Sequence, residues 1–194
     1  DIPIYVAMDS ADAWANPSLF QLDEKNVPYA VAGCPPDGFS ATGQLWGNPL
    51  YRWEYHRQTG YEWWLKRLSH CFKLYDAVRI DHFRGFDQYY SIPYGAEDAT
   101  RGHWEQGPGI DLFNRVRQVL GEKEVIAEDL GYVTDSVRKL VYDSGFPGMK
   151  VLEFAFDSRD SGCANDYLPH NYPENSVAYT GTHDNETLSG WFDS

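Results

Sequence analysis

Three acids stand where apolar, strand-like runs end: Asp81 after residues 77–80, Glu128 after residues 125–127, and Asp184 after residues 176–180. Asp9 follows a fourth such run, residues 2–8. Burying Arg79, Asp81 and His82 together costs free energy unless they pair with each other or with a ligand. Cleaving a glycosidic bond with retention needs two carboxyls about 5–5.5 Å apart, one a nucleophile and one a proton donor. Glu128, behind Val125, Ile126 and Ala127, has the apolar setting that suits a donor. Arg79 lies two residues before Asp81 on the same strand face and would keep that carboxylate ionised. Asp184 would supply a third carboxylate for the sugar, and His82 and His183, each next to an acid, can donate to hydroxyls. Two other readings of these residues stand beside this one. Arg79 and Asp81 could form an ion pair that only anchors a loop. The His–Asp neighbours could bind a divalent ion, although no two histidines fall four residues apart.

The elements that must position these residues follow from the patterning. Apolar residues at three- and four-residue steps predict an amphipathic helix over residues 60–75, running straight into the strand before Asp81. Another helix is expected over 110–120, ending at Gly121, and a third from Thr134 as cap to about Tyr142. Strands are expected at 2–8, 77–80, 124–127, 148–156 and 176–180, with loops at 31–51, 86–108 and 157–174. The alternation of strand and helix points to parallel βαβ units. No Gly-rich phosphate-binding pattern follows any strand. Acids repeated at strand ends suit the C-terminal face of a (β/α)8 barrel, where chemistry is done.

Composition narrows the function classes. The 194 residues suffice for one core, and a net charge of −13 argues against a nucleic-acid partner. No apolar stretch approaches the length that spans a membrane. Aromatic residues make up 16% of the chain, which supplies core and also flat platforms for sugar rings. Cys34, Cys71 and Cys163 lack paired spacing and are expected to be free thiols in a reducing, cytoplasmic compartment.

Residues 79–86 (RIDHFRGF), 125–131 (VIAEDLG) and 180–187 (TGTHDNET) together resemble the 4-α-glucanotransferases, also called amylomaltases or disproportionating enzymes, which are relatives of the α-amylase clan. Residues 1–17 (DIPIYVAMDSADAWANP) and 32–51 (AGCPPDGFSATGQLWGNPLY) fit the same family, so the resemblance covers nearly the whole chain. It implies that Asp81 is the nucleophile of a covalent glucosyl-enzyme, Glu128 the general acid/base, and Asp184 the aspartate that stabilises the transition state. It further implies that Arg79, His82 and His183 hold the ring and the nucleophile. Asp37 and Trp46 match substrate contacts, and Phe154 is expected to line the cleft. The implied partners are α-1,4-glucan donor and acceptor chains, with no cofactor and no metal.

Family members are several hundred residues long. The resemblance therefore implies a partial (β/α)8 barrel, one segment (residues 1–194) of a single catalytic domain with the first and last strands missing. Such a piece exposes sheet edges and half a core, so alone it is expected to fold poorly and be inactive. An α-amylase-type retaining hydrolase would use the same acids. A non-catalytic glucan-binding barrel should have lost at least one of them.

Overall fold

The computed structural model describes residues 1–38, 40–131, 133–156 and 164–193. The fold is mixed α/β, built on two four-stranded sheets. In chain order the elements are α1 (Ala11–Ala15), β1 (Ala30–Cys34), β2 (Gln44–Pro49), α2 (Trp53–Gln58), α3 (Glu62–Leu74), β3 (Ala77–Ile80), β4 (Gln88–Pro93) and β5 (His103–Gln106). They continue with α4 (Ile110–Leu120), β6 (Glu124–Ala127), α5 (Asp135–Ser144), β7 (Gly148–Val151), β8 (Ser176–Tyr179) and α6 (Leu188–Asp193).

The sheet that matters for the acids is parallel, in the order β3-β6-β7-β8. Val78 pairs with Val125 and Ile80 with Ala127, and these four side chains are buried in the main core. Trp64 and Leu68 of α3, Leu112, Phe113 and Val116 of α4, and Leu140 of α5 pack into the same core. Period-two alternation then turns Arg79 and Ile126 to the opposite face. Helix ends match their signals. The Thr134 hydroxyl accepts the Val137 N–H, and Gly145, at φ 73°, closes α5 in the left-handed conformation that glycine adopts without cost. The aromatic content is largely core: Tyr51, Trp53, Trp64, Phe83, Phe86 and Phe113 touch one another ring to ring.

Residues 31–51 and 86–108 are not plain loops. β1 pairs antiparallel with β2 and β4, and β4 with β5, to make the second sheet. Proline and glycine hide these strands in the sequence. Gly33 lies where β1 and β2 approach so closely that a Cβ would stand 2.0 Å from the Gln44 carbonyl oxygen. Conversely, the expected strand at 2–8 reduces to one bridge, Ile2 to Ile80, because Pro3 has no N–H to donate and Ile4 and Tyr5 turn into the core. The strand expected over 148–156 stops at Val151 and tightens into a 3-10 turn, Leu152–Phe156. Within the expected loop at 157–174, residues 164–167 and 169–171 are 3-10 turns, and the rest includes residues outside those described. Cys34 and Cys71 are free thiols, whereas Cys163 lies outside the described residues. Among the described residues no helix is long and apolar enough to cross a membrane.

One core residue gives the fold a pH signature. His56 is fully buried, with Nε2 3.1 Å from the Leu19 carbonyl oxygen and Nδ1 without a partner among the described residues. Burial lowers its pKa from 6.5 to about 4, against the raising effect of the Leu19 carbonyl. A folded-state pKa below the unfolded one gives stability that is complete above pH 6.5 and lost as the pH falls toward 4, in all about 3 kcal/mol. Urea unfolding of the full-length protein at pH 7 and 4.5 checks this. His56→Gln should be less stable at pH 7 yet lose less on acidification, and an unchanged pH slope would contradict the account.

Candidate active site

Asp81 and Glu128 meet because β3 and β6 are neighbours in register. Ile80 pairs with Ala127, so the next residue of each strand is an acid, and both acids continue the face that carries Arg79. Adjacent strands lie about 4.8 Å apart, so the register makes the two acids neighbours across the ladder, and the charge of Asp81 acts on Glu128. The backbone locks the pair: Glu128 N–H donates to the Ile80 carbonyl (3.1 Å), and Phe83 N–H to the Glu128 carbonyl (3.0 Å).

The two acids have different surroundings. Asp81 Oδ1 accepts Arg79 Nη1 at 2.9 Å, an ion pair whose arginine is largely enclosed. The same Nη1 reaches Asp1 Oδ1 at 2.8 Å, and Arg79 Nε points at Met149 Sδ at 3.1 Å. Glu128 is deep. Its Oε2 accepts the His82 N–H at 2.6 Å and its Oε1 the Leu130 N–H at 2.8 Å. Burial nevertheless holds its pKa above the ordinary glutamate value, assisted by the charge of Asp81 and opposed by the two N–H donors and Arg79. One carboxyl is thus held by a cation and the other is biased toward its protonated form.

His82 serves Glu128 through its backbone. It adopts a left-handed conformation, φ 51° and ψ 49°, uncommon for a non-glycine residue, and that conformation aims its N–H at Oε2. Its ring is buried and its pKa falls to about 3, first through burial and then through Arg84, so the imidazole is neutral near pH 7. Nε2 has no partner among the described residues. The Trp46 ring meets the His82 ring edge-on at 4.9 Å and tilts against Tyr5 at 6.2 Å, which brings β2 to the same corner. Asp37 caps a turn, its Oδ1 accepting the Ser40 N–H at 2.8 Å. Burial pushes the Cys34 thiol up to about 11, Arg84 opposes this, and Asp37 and Glu128 add to it, so both acids lie within electrostatic reach of Cys34.

The remaining expected residues are not drawn into this cluster. Asp184 Oδ2 lies 3.4 Å from His183 Nε2, both side chains exposed, on a turn beyond β8, two strands from β6. Asp184 leaves the same, C-terminal, end of the parallel sheet as Asp81 and Glu128, but no described contact joins them. Phe154 packs edge-on against Tyr167 at 5.2 Å. Sequence patterning does not single out Asp1 or Met149 as site residues. Asp1 precedes the first residue that pairs with β3, and Met149 looks like any core methionine until the register sets it beside Glu128. Among the described residues no group of three or more His, Cys, Asp or Glu side chains is arranged to hold a metal ion. A surface cavity of about 450 Å³ lined by Asp12, Tyr55, Trp63 and Arg67 lies between α1, α2 and α3, on the helical side and apart from the acids.

A family model described as 4-alpha-glucanotransferase matches residues 1–194. The chain is 54% identical over 194 residues to a 4-alpha-glucanotransferase of Clostridium butyricum, covering 100% of this chain and 39% of the relative. It is 48% identical over 193 residues to the chloroplastic/amyloplastic 4-alpha-glucanotransferase of Solanum tuberosum, covering 100% of this chain and 33% of that one. Among solved structures, amylomaltase from Streptococcus agalactiae in complex with acarbose superposes with a TM-score of 0.92 at 46% identity, over 100% of this chain and 39% of that one. The chain thus spans less than half the length of each of these relatives.

Proposed function

The chain belongs to the 4-alpha-glucanotransferase family, and from that premise we propose that the full-length protein carrying it transfers α-1,4-glucan segments to the 4-hydroxyl of an acceptor glucan. The observation that carries the proposal is the register pair Asp81–Glu128, one acid held by Arg79 and the other raised by burial. That is the division of labour a retaining double displacement requires. Asp81 attacks the anomeric carbon while Glu128 gives its proton to the departing sugar oxygen, leaving a glucosyl ester on Asp81. Glu128, now ionised, takes the proton of the acceptor hydroxyl, which displaces Asp81 with the original anomeric configuration restored. Asp184 and His183 are assigned to the bound sugar, with Asp37, Trp46 and Phe154 further along the chain. One glycosidic bond is exchanged for another, so the reaction asks for no redox or group-carrying cofactor.

Supporting the architecture, β3, β6, β7 and β8 read as consecutive strands of a (β/α)8 barrel, with the antiparallel sheet built from segments on either side of β3. Residues 1–194 are then one segment of a single catalytic domain. A cytoplasmic location is proposed on the free thiols alone; the Solanum tuberosum relative is named chloroplastic/amyloplastic.

Incubating the full-length protein with maltotriose alone and resolving the products by chain length tests the proposal. Glucose together with maltotetraose and longer chains is the expected result. Glucose and maltose alone would mean that water intercepts the intermediate, making the protein a retaining hydrolase with the same acids. No product at all would remove the catalytic reading and leave a glucan-binding barrel.

A further inference from the structure

A buried acid outside the chemistry above lies under the turn that carries Asp184. Glu153 follows β7 in the 3-10 turn Leu152–Phe156 and is 6% exposed. Its N–H donates to the Thr180 carbonyl at 3.1 Å, just past the end of β8. Its side chain fills the space beside the next residue: a Cβ on Gly181 would stand 2.7 Å from Oε1 and 3.0 Å from both Cδ and Oε2. Oε1 is buried and has no hydrogen-bond partner among the described residues. Beyond Gly181 the turn holds its own shape. The Thr182 N–H and hydroxyl both donate to Asn185 Oδ1, at 2.9 and 3.0 Å, and the Asp184 N–H donates to the Thr182 hydroxyl at 3.2 Å. A turn closed on itself takes its height above the sheet from the point where it joins the strand. Glu153 touches that point through its backbone and its side chain.

We propose that Glu153 is a positioning residue, its backbone N–H and side-chain volume fixing where the Gly181–Asn185 turn presents His183 and Asp184; the proposal rests on the assignment of Asp184 to the bound sugar. Oε1, buried without a donor among the described residues, contributes no attraction to the turn, and against Gly181 the side chain acts by occupying space. The amide of glutamine occupies the same space. Removing the side chain leaves a void beside Gly181 into which the turn can settle. Displacing a substrate-holding group by about 1 Å costs on the order of 10²-fold in rate.

The test uses three single variants and one double variant of the full-length protein, with two readouts. In Glu153→Ala, backbone amide exchange over residues 181–185 should quicken about tenfold while other segments keep their rates. Its kcat on maltotriose should fall about 10²-fold with KM within about threefold. Glu153→Gln should match wild type in both, which a role through charge would not allow. Gly181→Ala should be impaired alone and partly relieved when combined with Glu153→Ala, since the new methyl then has room. Unchanged exchange and kcat in Glu153→Ala, or equal loss in the glutamine variant, would overturn the proposal. If wild type turns over no glucan, the functional reading falls, and the exchange data alone still decide whether Glu153 sets the turn.

Discussion

Asp81→Asn in the full-length protein is expected to lower kcat for maltotriose disproportionation by on the order of 10⁴-fold or more, with glucan binding changed only a few-fold. The amide keeps the shape of the carboxylate but cannot attack the anomeric carbon, and no other described carboxylate shares the register position opposite Glu128. The variant should fold. Arg79 loses one partner at 2.9 Å but keeps Asp1 at 2.8 Å on the same nitrogen, so its cation is not left unpaired. Asp81→Glu should also be severely impaired, because the added methylene moves the attacking oxygen by more than 1 Å. Mass spectrometry of the wild type and Asp81→Asn, each quenched during turnover of an activated glucosyl donor, should show a covalent sugar only on the wild type. Sustained turnover by the asparagine variant would remove Asp81 as nucleophile and, with it, the double displacement.

That site was legible in the sequence for a physical reason. A short apolar strand that stops at an acid can be read without knowing its neighbours, and a helix leading into the second such strand favours parallel pairing of the two, even with β4 and β5 also lying in the connection. The pair Asp81–Glu128 therefore follows from local signals: residues 77–80, the helix ending at Gly121, and residues 124–127. The antiparallel sheet was not legible. Its pairing of β1 with β4 joins segments far apart in the chain, from Ala30–Pro93 to Gly33–Tyr90, and its strands carry Gly33, Pro49 and Pro93, residues that locally signal turns. Trp46 could thus be assigned to the substrate by resemblance, while its edge-on contact with His82 required β2 to exist.

Backbone geometry hid the rest. His82 earned attention for its ring, yet its described hydrogen bond to the site is the N–H aimed at Glu128 by a left-handed φ that no residue type announces. The patterning places Glu153 inside an extended strand over residues 148–156, where nothing distinguishes it. It becomes visible only when β7 ends early and folds its acid beneath Gly181. Asp184 has the opposite history. Its sequence context is among the most specific in the chain, whereas its side chain stands exposed beside His183, with no described contact to the other two acids.

Glu128→Gln is expected to lower kcat on maltotriose by about 10²–10⁴-fold, and the loss should depend on the leaving group. A sugar alkoxide leaves poorly without a proton, but fluoride does not need one. With an α-maltosyl fluoride donor the first step should therefore survive, releasing fluoride, the second should stall without a base, and a maltosyl ester should accumulate on Asp81. Burial raises the Glu128 pKa, so the wild-type alkaline limb should lie above the ordinary glutamate range and vanish in the variant. The same shift has a stability consequence. A folded-state pKa above the unfolded value, here 4.5 for an ordinary glutamate, gives stability that is complete below pH 4.5 and lost as the pH rises through the folded value. The stability difference between the two proteins should therefore move in favour of glutamine as the pH increases. Against that, glutamine has one acceptor oxygen for two donors, so either the His82 N–H (2.6 Å) or the Leu130 N–H (2.8 Å) loses its partner, at about 1–3 kcal/mol. Glu128→Asp separates these effects, since it keeps the charge and both oxygens but withdraws them by one methylene. If Glu128→Gln released no fluoride burst and formed no ester from the fluoride, its first step lost as fully as with natural glucans, the glutamate would act by holding the His82 turn in place. If it lost none, the proton would have to come from another group.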